Sequence, residues 1–317
     1  MKGRIFMMIV LAAMAAGCGQ GRQAEQFKAM PFPDAYPPGM MTDRNDIAEY
    51  MAVNFWNGIT DPSRDYPSDS VLVSGVMKEE VEQKFADWTM ILDMVPYDVA
   101  GKAVGKLYER AEACERKDTS SNVFETFNAL VSRYLYDPNS PLRNEDHYNM
   151  YIRHLSSYEG LSPEMKKKYE YDLKMTSMNA AGSSAADFRF SDKYGKMHTL
   201  YGIDAPMTLL FFSNPGCEAC MNIIQVLKED QKISSMISQG HLAVLNIYID
   251  EDLQAWREYM PVYPEEWYNG FDPDLVIRTD NLYNVRAIPS LYLLDKDKKV
   301  IMKDAPENKV FNYLNNQ

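Results

Sequence analysis

The sequence predicts two successive domains: an all-α domain, then an α/β domain with a four-stranded mixed sheet, helices on both faces and an extra N-terminal hairpin. Residues 42–179 carry apolar residues at helical spacing and show no pair of strand patterns. Residues 180–186 (AAGSSAA) are small and lack periodicity, as expected at a domain boundary. Residues 183–317 alternate short apolar runs with helical patterns, which is typical of parallel strands joined by a crossover helix.

The composition excludes several classes of protein. At 317 residues and 46% hydrophobic content, the chain can bury two cores and is not globally disordered. Its formal net charge of −12 argues against nucleic acid and against an anionic membrane surface as electrostatic partners. Four cysteines are too few for a disulfide-stapled scaffold. No motif indicates a cofactor or a metal site, so none is expected.

The first 17 residues have the pattern of an export signal. Lys2 and Arg4 precede an apolar run too short to span a bilayer, and residues 15–18 (AAGC) resemble a bacterial lipobox. This pattern predicts that Cys18 is lipidated and becomes the mature N-terminus. A plain cleaved signal peptide is the alternative, because Ala15 stands where a lipobox usually has Leu. We therefore expect a bacterial cell-envelope protein, lipid-anchored and facing the periplasm.

Residues 18–41 are predicted to form a tether between the lipid and the folded body. The stretch is polar at first and then rich in proline, which favours an extended linker over a helix. The alternative is a strap that packs along the first domain through Phe32 and Tyr36.

The helical domain of residues 42–179 has no predicted role. Thr42 or Asp43 can cap its first helix, and Ser162-Pro163-Glu164 is a start signal for its last. Cys114 is interpreted as a small packed residue, and His147 and His154 as solvated surface histidines. The other helical segments are residues 77–94, 97–117, 121–136, 144–157 and 162–178.

The second domain is predicted to follow a strand–helix–strand order. A short hairpin opens it, helices follow the third and fourth strands, and a further helix closes the chain. The predicted strands are residues 187–190, 196–200, 207–212, 242–249, 290–294 and 300–303.

Residues 207–220 (MTLLFFSNPGCEAC) concentrate the chemistry. A buried strand, a Pro-Gly turn and a helix follow one another, so Cys217 is expected at a helix N-terminus, where N–H groups and the helix dipole stabilise a thiolate. Cys220, three residues later, can resolve a mixed disulfide, which is dithiol redox chemistry. Structural zinc is disfavoured, since no second cysteine pair exists and His198 and His241 lack the usual spacing. An inert or degenerate motif is the other alternative.

Residues 260–280 are long for a loop and contain Tyr263, Trp267, Tyr268 and Phe271. These aromatic residues are predicted to pack against the domain's own surface. A partner-binding flap is the alternative.

Residues 183–317 resemble the thioredoxin superfamily, most closely its exported, membrane-tethered TlpA- and ResA-like thiol-disulfide oxidoreductases. The resemblance depends on the opening hairpin with residues 192–196 (DKYGK), on the strand with Cys217-Glu218-Ala219-Cys220, and on residues 285–290 (VRAIPS). The helical half resembles an uncharacterised domain that precedes such modules in bacterial lipoproteins.

The resemblance implies roles for individual residues. Cys217 would be the nucleophile and Cys220 the resolving thiol. Pro289 would be cis and would shape a substrate groove together with Ile288, Gly216 and Pro215. The resemblance also implies partners, namely thiols and disulfides of exported proteins and a membrane-bound or soluble redox partner.

The sequence departs from the family pattern at two positions, and a third residue bears on the charge of Cys217. Phe211 stands where thioredoxins carry a buried Asp, and Gly216 replaces the common Trp. Glu218 opposes a thiolate at Cys217 by like charge. The alternative function is a non-catalytic binding lipoprotein that uses the same fold as a scaffold, with Cys217 and Cys220 as a static disulfide. A peroxiredoxin-like site is disfavoured, because its Thr/Cys loop is missing.

Overall fold

The structure is a computed structural model that describes residues 28–64, 66 and 70–317. The predicted export signal, Cys18 and the first part of the predicted tether lie outside the described residues. Within the described ranges, no helix is long and apolar enough to cross a membrane. A helical half is followed by a half built on a mixed sheet, as predicted.

The helices of the first half begin and end close to the predicted positions. The Asp43 side chain accepts hydrogen bonds from the N–H groups of Asn45 and Asp46 at the first helix, and Ser162 caps the last with Pro163 in its first turn. The helices are α1 (Arg44–Asn54), α2 (Lys78–Leu92), α3 (Tyr97–Lys117), α4 (Val123–Val131), which a π-helical turn (Ser132–Tyr136) extends, α5 (Glu145–Leu155) and α6 (Pro163–Ser177).

Aromatic side chains dominate the core of the helical half. The Trp56 ring lies 4.7 Å from that of Phe127 and 5.8 Å from that of Trp88, at steep angles. The Trp88 indole N–H donates to the Ala52 carbonyl at 2.9 Å, so this buried ring keeps its hydrogen bond. Burial of each large apolar side chain contributes roughly 2–3 kcal/mol, which makes this cluster a main source of stability.

The helical half also contains a small hairpin, and its predicted lack of strand pairs was wrong. Strands β1 (Leu72–Val73) and β2 (Val76–Met77) pair antiparallel across Ser74 and Gly75, which both have positive φ. Two consecutive residues of positive φ form the tight turn that favours Gly. Strands of two residues are too short to show an alternating pattern in sequence, which is why they were missed.

Residues 30–34 form a strap rather than a free tether. Phe32 is buried, and its N–H donates to Glu80 Oε1 at 3.0 Å. Lys84 pairs with Asp34 at 2.6 Å. Tyr36, which was expected to pack with Phe32, is 77% exposed. The tether prediction is therefore wrong for this stretch, because Phe32 gains more from the aromatic core than from solvent.

The second half is built on a single seven-stranded sheet, whereas six strands were predicted, four in a mixed sheet and two in a separate opening hairpin. The order is β4-β3-β7-β6-β5-β8-β9, and the four predicted strands are its contiguous part β6-β5-β8-β9. Strands β5 and β6 are parallel, while β8 is antiparallel to β5 and to β9. The strands are β3 (Arg189–Asp192), β4 (Met197–Thr199), β5 (Met207–Phe212), β6 (Leu242–Tyr248), β7 (Tyr268–Phe271), β8 (Ser290–Asp295) and β9 (Val300–Met302).

Strand β7 accounts for the difference in strand number. It lies parallel to β6 and antiparallel to β3, so it joins the opening hairpin to the central sheet. Its sequence, Tyr-Asn-Gly-Phe, is a weak strand pattern. A Cβ at Gly270 would lie 2.5 Å from the Phe190 ring, so this glycine allows the hairpin to approach closely.

The helices of this half cover both faces of the sheet, as predicted. Leu209 and Phe211 of β5 face α7, α8, α9 and α11, whereas Leu210 and Phe212 face α10 and residues 185–205. The helices are α7 (Glu218–Glu229), α8 (Gln231–Ser238), α9 (Leu253–Tyr259), α10 (Val276–Thr279) and α11 (Glu307–Asn315).

The predicted linker packs along the β8–β9 hairpin. The Gly182 N–H donates to the Val300 carbonyl at 2.8 Å, and the Ala185 N–H donates to the Lys298 carbonyl at 2.9 Å. These bonds cover the free edge of β9, which would otherwise present unpaired backbone groups.

His147 is buried, so its predicted surface position was wrong. It lies on α5, which packs against α3 and α6, and its Nδ1 is 3.9 Å from Asp93. Burial lowers the pKa of His147 from 6.5 to about 4, although the Asp93 carboxylate opposes the shift. His154 is exposed, as predicted, and stacks on Tyr108.

We expect His147 to destabilise the fold in acid. Because its pKa is lower in the folded than in the unfolded chain, the unfolded state binds more protons between pH 6.5 and 4, and stability falls as the pH falls through that window. The His147→Gln variant should lack this dependence, so the difference in unfolding free energy between the two proteins should change by about 3 kcal/mol from pH 7 to pH 4. Urea unfolding of both proteins at several pH values measures this difference. Plots of unfolding free energy against pH that run parallel for the two proteins would contradict the prediction.

Candidate redox site

Strand β5 delivers the two cysteines to the end of the sheet. It pairs along its full length with β6 and β8, and all of it except Met207 is buried. Ser213 continues the ladder by donating its N–H to the Ile247 carbonyl at 3.2 Å. The chain then turns through Gly216, at φ +73°, into helix α7. A left-handed backbone is strained for residues with a Cβ, so glycine suits this turn.

Cys217 and Cys220 are joined by a disulfide at the N-terminus of α7. Their Cα atoms are 5.2 Å apart, and Cys217 occupies the N-cap position, as predicted. The Cys220 N–H points at Cys217 Sγ, 3.2 Å away. Cys217 is half-buried, whereas Cys220 is 2% exposed and packs in the core. A reactant from solvent therefore meets the sulfur of Cys217 first.

The Ile288–Pro289 peptide bond is cis, as the resemblance implied. Strand β8 begins at the next residue, Ser290, which pairs with Phe212 at the end of β5. Pro289 therefore lies level with the turn that leads to Cys217. The structure brings Pro215, Gly216, Ile288 and Pro289 to the same end of the sheet, and their roles in substrate binding stay predictions.

Phe211 is fully buried in the same core cluster as Cys220. It provides no carboxylate to accept the Cys220 proton, which is the departure noted in the sequence.

A buried polar chain under the site was missed in the sequence. The Ser213 hydroxyl donates to Asn246 Oδ1 and lies 3.4 Å from the Tyr263 hydroxyl. Asn246 Nδ2 donates to Asn269 Oδ1 at 3.0 Å, and Asn269 donates in turn to the Pro264 carbonyl. Burial raises the pKa of Tyr263, so this hydroxyl stays protonated. The lone Asn in the apolar run LAVLNIYI was the available signal.

The aromatic residues of the long segment pack on the domain itself, as predicted. Tyr263 and Trp267 are buried in the core beneath α9, and the ring of Phe271 contacts that of Trp256 at 5.0 Å. Tyr268 is the exception, with 40% of its surface exposed. The flap alternative is therefore wrong for the buried members.

The third cysteine and the two histidines considered as zinc ligands lie apart from the cysteine pair or in other contacts. Cys114 is free and buried on α3, as predicted, and burial raises its pKa. His198 pairs with Asp192 at 3.1 Å. Among residues 28–64, 66 and 70–317, no three histidine, cysteine or acidic side chains are grouped as a metal ion would require.

Comparisons with known proteins match both halves of the chain. A family model described as a domain of unknown function (DUF5106) matches residues 16–179, and a model described as thioredoxin-like matches residues 206–300. No curated protein matches the chain.

Solved structures are similar to the whole chain or to its second half. A thioredoxin-like protein from Bacteroides caccae ATCC 43185 is 33% identical, with 91% of this chain and 99% of that chain covered and a TM-score of 0.78. The C-terminal domain of an uncharacterized protein from Bacteroides fragilis NCTC 9343 is 45% identical over 44% of this chain and 99% of that chain, with a TM-score of 0.43. A domain of a possible thiol-disulfide isomerase from Cytophaga hutchinsonii ATCC 33406 is 21% identical over 43% and 91%, with a TM-score of 0.37.

We expect iodoacetamide to modify Cys217 before the other thiols of the reduced protein. Cys217 is half-buried at a helix N-terminus, whereas Cys114 and Cys220 lie in cores. The rate of alkylation of Cys217 at pH 7 should therefore be higher than theirs by about tenfold or more. Peptide mass spectrometry of a chain that begins at Ala24 measures the three rates separately. Modification of Cys220 or Cys114 ahead of Cys217 would contradict the assignment.

The Gly216→Ala substitution should lower the unfolding free energy of the oxidised protein by about 1 kcal/mol, because alanine is strained at positive φ. No atom crowds its Cβ, so the effect comes from the backbone alone. Gly101→Ala is the matched control: it lies in the open interior of α3, where alanine should stabilise the protein by about 1 kcal/mol. Denaturant titrations should therefore shift in opposite directions, and shifts of the same sign would refute the backbone argument.

Proposed function

Because the chain belongs to the family of thioredoxin-like proteins and carries a DUF5106 domain ahead of the thioredoxin-like one, we propose that it is a thiol-disulfide oxidoreductase of exported proteins. The observation that supports this best is the asymmetry of the cysteine pair. One sulfur is accessible at a helix N-terminus, and its disulfide partner is buried in the core. We assign the helical domain to residues 42–179 and the thioredoxin-like domain to residues 183–317.

The exchange begins with the reduced pair. The Cys217 thiolate attacks one sulfur of a substrate disulfide, which breaks that S–S bond, forms a mixed disulfide and releases one substrate thiolate. The Cys220 thiol then loses its proton and attacks Cys217 Sγ, which releases the second substrate thiolate and forms the Cys217–Cys220 disulfide. Two electrons have passed to the substrate, and the released thiolates take up protons from water. The reverse sequence oxidises a substrate dithiol.

The two steps differ in what they require from the protein. The first requires a thiolate, and the free N–H groups and dipole at the start of α7 favour that charge at Cys217. Glu218 is exposed, so its opposing charge is screened by solvent. The second step is intramolecular, because Cys220 is held beside its target, and this raises its effective concentration.

The proton of Cys220 must leave through water or a group other than a carboxylate at position 211. Phe211 is apolar and fully buried, so it takes no part.

The groove beside Pro289 is the proposed substrate site. An extended segment of substrate would pair with the backbone of Ile288 as an added strand, with Pro215 and Gly216 on the opposite side. Main-chain pairing is tolerant of side-chain identity, which suits an enzyme that acts on several proteins.

We also propose that the protein works in the cell envelope on a lipid anchor at Cys18. The basic residues and apolar run at the N-terminus support export, and the lipobox-like residues 15–18 support lipidation. The proposed partners are exported thiols and disulfides, and a membrane-bound or soluble redox partner that regenerates the pair.

We expect the protein to accelerate the reduction of insulin by dithiothreitol, and Cys217→Ser to abolish that activity. Cys220→Ser should instead accumulate a stable mixed disulfide with the substrate chain, because its resolving thiol is gone. Non-reducing electrophoresis and mass spectrometry measure the adduct. Cys114→Ala is the control, since it removes a thiol of the helical domain and should leave the rate unchanged.

The scaffold alternative makes the opposite forecast. A static disulfide would give no rate enhancement in the wild-type protein and no adduct in Cys220→Ser. That pair of results would overturn the proposed function.

A further inference from the structure

A buried cluster of charged side chains joins the helical half to the sheet half. We name it the junction cluster. Four of its members are at most 8% exposed, and the side chain of the fifth, Arg286, is 13% exposed. It consists of Arg143 and Glu145 from the helical half and of Arg286, Lys303 and Asp304 from the sheet half.

Asp304 holds the segment that contains the cis proline at both ends. Its Oδ2 accepts from Arg286 Nη2 at 2.9 Å, and its Oδ1 accepts from the Ser290 hydroxyl at 2.7 Å. Pro289 lies between these two residues. A single buried carboxylate therefore limits the movement of residues 286–290.

The helical half holds the same segment through Arg286. Glu145 Oε1 lies 2.8 Å from Arg286 Nε, and the guanidinium stacks over the Tyr136 ring at 4.2 Å while donating to the Tyr136 carbonyl. Asn284, two residues earlier in the chain, donates to Glu145 Oε1 at 3.1 Å. Glu145 thus contacts two residues, Asn284 and Arg286, that precede the cis proline in the chain.

Other contacts across the junction fix Glu145 and Asp304 in place. Lys303 lies 2.7 Å from Glu145 Oε2 and donates to three carbonyls near the end of α6. Arg143 donates to the carbonyls of Asp304, at 2.9 Å, and Ala305, at 3.1 Å. Burial opposes the charges of both Arg286 and Glu145. At Arg286 the nearby Glu145 and Asp304 outweigh burial and raise the pKa above its usual range, whereas at Glu145 burial outweighs Lys303 and Arg286 and raises the pKa of the carboxyl. The guanidinium therefore stays charged and directional.

A buried ionic cluster adds little net stability, because desolvation offsets the attraction between its charges. Its hydrogen bonds, however, select one geometry, since the planar guanidinium matches its acceptors only in a narrow range of orientations. Here that geometry is the position of residues 286–290 relative to the helical half.

We propose that the helical half is a positioning element for the substrate groove. Through Glu145 and Arg286 it holds the cis-proline segment where an extended polypeptide pairs with it, and so accelerates exchange with protein substrates. This inference rests on the proposed function of the cysteine pair. Glu145 and Arg286 are positioning residues and do not touch the sulfur atoms.

Such a role separates large substrates from small ones. A polypeptide disulfide uses the groove, whereas a small aromatic disulfide such as Ellman's reagent reaches Cys217 without it. Loosening the segment should therefore slow the first reaction and spare the second.

The test compares two variants of the full mature chain with a matched control. Glu145→Gln keeps the size of the side chain but removes its charge, and Arg286→Lys keeps the charge but removes the forked donors. Lys309→Met is the control, because Lys309 makes an ion pair with Asp93 across the same junction, at 2.6 Å, away from the cis-proline segment. Each protein is used at a temperature where near-ultraviolet circular dichroism shows it folded.

For both variants we expect the rate of insulin reduction to fall by about tenfold or more, as a displaced groove predicts. The rate with Ellman's reagent should stay within about twofold of the wild-type rate. The redox potential of each variant should equal that of the wild type within measurement error. The control should keep both rates.

Three results would overturn the inference while leaving the proposed function intact. These are unchanged insulin rates in both folded variants, an equal loss of both rates, and a loss in Lys309→Met as large as in Glu145→Gln. A wild-type protein without activity toward either disulfide would instead contradict the proposed function itself.

Discussion

The pairing of strand β5 with β6 and β8 is the constraint on which the rest of the site depends. Phe212 faces Ile247 on one side and Ser290 on the other, so the end of β5 is fixed by two neighbours at once. The pairing with β6 places Ser213 over the buried Asn246. The pairing with β8 places Pro289 level with the turn to Cys217. The chain must then reverse within a few residues, and Gly216 at positive φ allows it to enter α7 with Cys217 as the N-cap.

The sequence predicted those features that local chemistry determines. A run of apolar residues, a Pro-Gly turn and a helical pattern lie next to each other in residues 207–227, so the position of Cys217 could be predicted from them. The cis bond at Pro289 is different, because most X–Pro bonds are trans and only the family resemblance indicated it. The roles proposed for Ile288, Pro289, Pro215 and Gly216 have the same origin.

Features that depend on distant parts of the chain were missed. The sequence of strand β7 has only a weak strand pattern. The strand forms because it pairs with one edge of β6 and with β3, whose backbone groups would otherwise lack a partner there. His147 is buried because α5 is covered by neighbours on more than one side. The contact between Asn284 and Glu145 joins residues 139 positions apart, and nothing in either segment indicates its partner. These are the contacts that connect the helical half to the redox site.

The most direct test of the account is the redox potential of the Cys217–Cys220 pair, measured by thiol alkylation across a series of glutathione buffers on a chain that begins at Ala24. The account predicts a reversible two-electron transition, in which the ratio of reduced to oxidised protein changes tenfold for about 30 mV. A low potential would identify a reductant that needs an electron donor, and a high potential an oxidant or isomerase. A disulfide that stays fully oxidised across the whole series would contradict the account and favour a static scaffold.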